Sequence, residues 1–246
     1  MTPQERNTSV IDSQQVSDYK LQLWFTNRGC KVSVFDGENS RINSDIGVDN
    51  FFTSNDTVIL NLLNGIKELK YNFKEISIIC ESEHYTFVPS TIFDPNDASL
   101  YLTFQKNLPA DNTVLYNRLM ERDIVTVFSL PFALHTGLRS LLPQAHIIHH
   151  LSYFINSKIP FINETCVYVW VREKVMDLVL IINGSPALMN TYSYSTPEDF
   201  TYYVLTVFEQ YSLNVEFDKV MLYNVSKSDG ISLMIEKYVH KLIIVA

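Results

Sequence analysis

The chain has 246 residues, 46% hydrophobic and 19% charged, which supplies a core and argues against a chain disordered by composition. Its 19 Lys and Arg against 27 Asp and Glu give a net charge of −8 with no dense basic cluster, which argues against binding a nucleic-acid backbone by charge. Only 7 glycines occur, where ordinary usage of about 7% would give roughly 17, so a mechanism with several glycine-rich phosphate loops is disfavoured.

Residues 1–18 are rich in Ser, Gln, Asn and Asp, lack periodicity and lack the apolar stretch of a signal peptide. They are expected to be a flexible lead-in. A hairpin follows: Leu21-Gln22-Leu23-Trp24-Phe25, a polar break, then Val32-Ser33-Val34-Phe35 and an Asp36-Gly37 corner. Such a dipeptide favours a type I′ turn, whose two central residues need positive φ. A weak third strand is expected near Ser40–Ile46. Asn55 or Asp56 then caps a helix with Ile59, Leu62, Leu63, Ile66 and Leu69 at i, i+3, i+4 spacing. A buried strand, Phe73–Cys80, comes next.

An insertion is expected at about residues 83–120, after which the first half resumes with strand Ile124–Leu130, helix Phe132–Leu142 and strand Ala145–His150. Leu151–Phe161 reads as a linking segment.

The same order then recurs. Val167-Tyr168-Val169-Trp170-Val171, a polar break, and Leu178–Ile182 lead into an Asn183-Gly184 corner. The two tryptophans of the chain, Trp24 and Trp170, thus hold matching places. A third strand near Ala187–Tyr194 precedes a helix opened by Thr196-Pro197-Glu198-Asp199, with a hydroxyl cap, Pro at the first position and acids at the positive end of the dipole. Strand Phe217–Tyr223, a helix near Gly230–Tyr238 and strand Lys241–Val245 complete a β-β-β-α-β-α-β unit.

The hairpin Tyr19–Gly37, the segment His84-Tyr85-Thr86-Phe87-Val88-Pro89 with Phe93, Ile147-Ile148-His149-His150-Leu151 and Ser195–Phe200 carry a further likeness. On these residues the chain resembles an uncharacterised bacterial family of unknown function with an actin-like ATPase fold, two ribonuclease-H-like subdomains facing a cleft. The resemblance covers residue 19 onward. It implies a fold of tandem β-β-β-α-β-α-β subdomains, 19–160 with the insertion and 161–246. The nearest functional analogy is to cytoplasmic assembly proteins of pili and cell division, which bind nucleotide and dock partner peptides.

Actin-like ATPases place an Asp-x-Gly motif at each hairpin turn, with the acid organising the metal and turn amides meeting phosphate. Here the turns read Thr26-Asn27-Arg28-Gly29 and Arg172-Glu173-Lys174, and only Gly230 stands where an adenosine-side glycine pair would fall. The nucleotide motifs are degenerate. Arg28, Gly29, Arg172, Lys174 and Gly230 remain the cleft candidates for a nucleotide or small anion.

Other chemistries fare worse. The first strands Leu21–Phe25 and Val167–Val171 hold no acid for a two-metal nuclease. His146, His149 and His150 sit on a strand without an adjacent Asp, Glu or Cys, which reads as packing or edge rather than metal. No Gly-x-Ser-x-Gly elbow or local Cys–His arrangement occurs, and Glu81, Glu83 and His84 read as loop-surface charge. Cys30, Cys80 and Cys166 are odd in number and lie in strand-like runs, as reduced core thiols do. Tyr192, Tyr194 and Tyr202 are candidates for an outward-facing protein contact.

The sequence therefore predicts a non-catalytic cytoplasmic interaction or scaffold protein on an α/β, actin-like fold. Its partner is an unknown protein, with no nucleic acid, no membrane insertion and no cofactor, ATP with Mg being disfavoured. The alternative is a degenerate nucleotide or small-anion binder at the interdomain cleft.

Overall fold

A computed structural model describes residues 16–103 and 109–245. The expected lead-in lies outside the described residues up to position 15, and Val16–Asp18 form a single 3-10 turn. The chain divides into two compact units, one running to Leu119 and then over Asp123–Tyr153, the other made of Met120–Arg122 and the chain from Phe154 onward.

In unit 1, β1 (Lys20–Thr26) pairs antiparallel with β2 (Gly29–Asp36), which pairs antiparallel with β3 (Asn39–Gly47). Alternation along β1 turns Leu21, Leu23 and Phe25 inward to meet Cys30, Val32 and Val34 of β2, all buried. Full burial of each such β1 side chain contributes about 1.5–3 kcal/mol. Helix α1 (Asp56–Gly65) covers them with Ile59, Leu62 and Leu63, and Asn55 caps it by accepting from the Val58 amide at 3.1 Å. Strand β4 (Glu75–Cys80) then runs parallel to β1 on its other edge.

The chain next builds a separate three-stranded sheet. Strands β5 (Tyr85–Pro89) and β6 (Asn112–Leu119) both pair antiparallel with β7 (Ile124–Pro131), which lies between them. The sequence reading placed this last strand in the resumed first half; it belongs instead to the inserted sheet. Its unbroken burial explains the ambiguity. Val125 and Val127 serve the small core of the insertion, while Phe128 and Leu130 reach the main core of unit 1.

Helix α2 (Phe132–Leu141) returns to that core with Ala133, Leu134 and Leu138, and β8 (His146–His149) completes the sheet parallel to β4. The strand order is β3-β2-β1-β4-β8. The free edge of β8 is covered by one side chain: Asn117 donates to the Ile147 carbonyl at 3.0 Å and accepts from the His149 amide at 2.8 Å. Its amide thereby occupies the place of a neighbouring strand's peptide unit.

Helix α3 (His150–Lys158), expected as a bare link, is divided between the units after Tyr153. In unit 2, β9 (Cys166–Arg172), β10 (Val175–Ile182) and β11 (Ser185–Ser193) form the second antiparallel set. Helix α4 (Pro197–Gln210), β12 (Lys219–Tyr223), α5 (Gly230–Ile235) and β13 (Lys241–Val245) follow. The order β11-β10-β9-β12-β13 repeats that of unit 1, strand for strand.

The likeness extends to irregularities. The β2–β3 register slips between Val34 and Phe35, passing over Arg41; the β10–β11 register slips between Leu180 and Ile181, passing over Ala187. Both are one-residue bulges just before the corner. The corners themselves differ. Asn183 and Gly184 both have positive φ, 50° and 81°, as the type I′ reading requires. In the first corner Gly37 and Glu38 are central, and only Gly37 is positive at 60°, the pattern of type II′.

Unit 2 is buried on both sides of its sheet. On one side Val167, Val169, Leu178 and Leu180 meet Phe200, Val204 and Val207 of α4. On the other, Trp170 lies against Phe154 of α3, ring centroids 5.2 Å apart, and Tyr223 donates to the Lys158 carbonyl at 2.9 Å. Arg122 is enclosed there too. Its guanidinium donates to the carbonyls of Gly184 (3.1 Å), Ile159 (3.2 Å) and Pro160 (2.9 Å) and lies over the Phe161 ring. Burial lowers its pKa from the ordinary arginine value.

Asp177 is fully buried in the middle of β10. Arg172, diagonal to it across the hairpin, holds it bidentately, Nε to Oδ2 at 2.7 Å and Nη2 to Oδ1 at 2.8 Å, and the Thr191 hydroxyl donates to Oδ1 at 2.7 Å. Removing one partner of such a pair strands a desolvated charge. Arg172→Ala is therefore expected to lower the unfolding free energy by about 3–5 kcal/mol in a urea titration. The joint replacement Arg172→Met, Asp177→Leu is expected to recover most of that loss.

Candidate functional site

In α/β sheets ligands sit outside the carboxyl ends of the parallel strands. Unit 2 has a pocket of about 370 Å³ at that end, near the lower limit for small-molecule sites. Val171 at the end of β9, Asn224 just after β12, Glu173 of the β9–β10 turn, and the starts of α4 and α5 surround it. Gly230, a predicted site residue, lies on its wall.

Several donors there are engaged within the chain. Asp199 accepts from the Ser195 and Thr196 amides at 3.0 and 3.1 Å, while the Asp199 amide donates to the Thr196 hydroxyl at 3.1 Å. This capping box closes the positive end of α4. Asp229 accepts from the Ile231 amide at 2.9 Å and closes α5 in the same way. The lining contains Glu173 and Asp229 and neither Lys nor Arg. Tyr194, a candidate for an outward-facing contact, is buried in this wall and donates to the Glu173 carbonyl at 2.8 Å; burial first, then Asp229, raises its pKa.

The other predicted residues are placed elsewhere. Lys174 is exposed in the β9–β10 turn, and Arg172 beside it is engaged by Asp177. Arg28 is exposed in the β1–β2 turn of unit 1, where the carbonyls of Asn27 and Arg28 accept from the Phe51 and Val48 amides. Gly29 is buried with φ 113°, and a Cβ there would stand 2.0 Å from the Ile46 carbonyl oxygen. Close approach of β3 accounts for this glycine.

At the corresponding end of unit 1, Trp24 donates from Nε1 to Glu81 at 2.7 Å and meets Tyr153 edge-on, ring centroids 5.4 Å apart. Glu81, read as loop-surface charge, thus anchors a strand residue. His149 is buried among Tyr85, Phe128 and His150 and donates from Nε2 to the Ser82 carbonyl at 3.1 Å. The chain turns helical at His150, so His146 and His150 do not share a strand face; His146 is exposed and His150 buried. No group of three or more His, Cys, Asp or Glu among the described residues could hold a metal ion.

All three thiols are buried. Burial pushes Cys30 and Cys166 up to about 12 from an ordinary value of 9.0 and raises Cys80 well above it. None supplies a thiolate nucleophile near neutral pH.

Sequence reasoning missed Asp177, Asn117 and Arg122. The signal for Asp177 was present, as a lone acid inside the apolar run Val175–Ile182 with an arginine five positions earlier. Asn117 and Arg122 bind backbone of residues distant in sequence, and nothing local marks them.

The model of the family described as "Protein of unknown function (DUF3822)" matches residues 8–242, and the chain belongs to that family. No curated protein matches the sequence. Among solved structures, the chain is similar to a Bacteroides thetaiotaomicron protein with actin-like ATPase fold and unknown function. The TM-score is 0.78 at 22% identity, covering 96% of this chain and 94% of that one. It is also similar to a chain of a PilM–PilN type IV pilus biogenesis complex, TM-score 0.53 at 12% identity, covering 94% and 88%. The fold is the actin-like ATPase fold. No helix among the described residues is long and apolar enough to cross a membrane.

A thiol reagent at mildly alkaline pH is expected to modify none of the three cysteines in the native protein and all three after denaturation. A thiol whose folded pKa lies above its unfolded value stabilises fully below the unfolded value, here 9.0, and that contribution fades as pH climbs towards 12. Thermal midpoints are therefore expected to fall above pH 9, less steeply in a Cys30→Ala, Cys166→Ala variant. Gly29→Ala is expected to lower the midpoint in every buffer, with added phosphate making no difference.

Proposed function

We propose that this member of the DUF3822 family works through protein contacts rather than nucleotide chemistry, as a non-catalytic interaction or scaffold protein of the cytoplasm. One observation carries the reading. At the carboxyl end of the unit 2 sheet, the Ser195 and Thr196 amides leading into α4 and the Ile231 amide of α5 are taken by the chain's own Asp199 and Asp229, and Glu173 adds another carboxylate to the wall.

A phosphate chain brought there would meet the carboxylates of a lining that contains neither Lys nor Arg. Like charges 4 Å apart repel by about 1 kcal/mol in water and about 4 kcal/mol near a protein surface. Two such carboxylates oppose what a few backbone amides offer. The likeness to a protein solved within the PilM–PilN complex adds that this fold also serves in partner-bound assemblies.

Thermal unfolding with and without Mg-ATP tests the reading. A ligand at a hundredfold excess over its dissociation constant stabilises the native state by about 2.7 kcal/mol. No shift at millimolar nucleotide is the expected result. A clear upward shift that Lys174→Ala or Arg28→Ala diminishes would overturn it in favour of a nucleotide or small-anion binder.

A further inference from the structure

Strand β13 ends the unit 2 sheet, paired with β12 in unbroken parallel register from Lys219–Lys241 to Tyr223–Val245. Among the described residues nothing pairs with its outer edge. Its counterpart β8 ends the unit 1 sheet in the same place, and there Asn117 satisfies the Ile147 carbonyl and the His149 amide. Among the described residues, one sheet closes its last edge and the other leaves it open. Natural sheets blunt such edges with charge, Pro or bulges, because an open edge templates another strand. Leu242-Ile243-Ile244-Val245 carries none of these, and Ile243 is 41% exposed.

We infer that two copies of this chain join along β13, antiparallel about a two-fold axis through Ile243. The strand is self-complementary in that arrangement. Leu242 of one copy faces Ile244 of the other, and both already pack partly against the unit 2 core, so the pairing continues that core from copy to copy. Ile243 faces itself. Lys241, the one charged residue of the strand, faces Val245, and the two lysines lie at opposite ends of the five-residue ladder.

At about 3.4 Å per residue that separation is roughly 14 Å, beyond the ~8 Å screening length at physiological salt. A parallel pairing would set the lysines side by side. Two-fold pairing of one surface patch on itself is the commonest form of homo-oligomer. Each copy carries −8, so the pairing is expected to tighten as salt rises. The contact is independent of the partner docking proposed above, and the nucleotide measurement does not bear on it.

Ile243→Cys tests the geometry. Directly opposed residues of an antiparallel pair have Cα atoms about 4.5–5.5 Å apart, within the span of a disulfide. The native thiols are buried, so under mild oxidation the full chain is expected to give a covalent dimer through position 243. Leu233→Cys, exposed on α5, is the control and is expected to remain monomeric. In sedimentation the unmodified chain is expected at twice the monomer mass in the micromolar range, and Ile243→Lys, an exposed change, at the monomer mass with cooperative thermal unfolding retained and a midpoint that no longer depends on protein concentration. A monomer at all concentrations, or cross-linking at 243 no faster than at 233, would overturn the inference.

Discussion

Each unit is organised by the demands of one central strand. Strand β1 in unit 1 and β9 in unit 2 are hydrogen-bonded on both edges, antiparallel to the strand that follows in sequence and parallel to one that returns after a helix. A strand in that position exposes no backbone and at least one fully apolar side. A hairpin must supply one edge and a crossover helix must deliver the other, and the same helix must then cover the apolar side. Helices α1 and α4 do this for β1 and β9. The repeated strand order is a consequence of meeting that requirement twice.

Much of this was legible in the sequence because the signals were local. The strand runs around Trp24 and Trp170, the cap at Asn55, the Thr196-Pro197 start of α4 and the Asn183-Gly184 corner each depend on residues within a few positions of one another. What escaped was set by long-range packing. Strand β7 reads as a central strand and is one, but its two neighbours are chosen by tertiary pairing. Tyr194 was a candidate for an outward-facing contact, yet its ring is claimed by Phe200, edge-on with ring centroids at 5.4 Å. At the candidate site, residue type was legible but engagement was not. Arg172 reads in the sequence as a cation beside a turn, and the hairpin register sets it diagonal to Asp177, close enough to hold it.

The acids at the carboxyl end of unit 2 bear on stability and on function at once. A side-chain carboxylate at a helix start satisfies amides and complements the dipole. The same carboxylate competes with any other anion for that place. In the reading proposed above, stability and ligand binding compete for one set of donors, and Asp199 and Asp229 give that set to the fold.

Arg122 has a consequence for the order in which the protein can be completed. The residue lies in the connection between β6 and β7, but the carbonyls it satisfies belong to Ile159, Pro160 and Gly184. During synthesis it emerges before any of them, so the donor is waiting when its acceptors leave the ribosome. Unit 2 therefore closes around a residue made earlier, and an isolated piece beginning at Phe154 would carry three carbonyl groups turned towards an empty place. The two units are distinct in space without being separable along the chain.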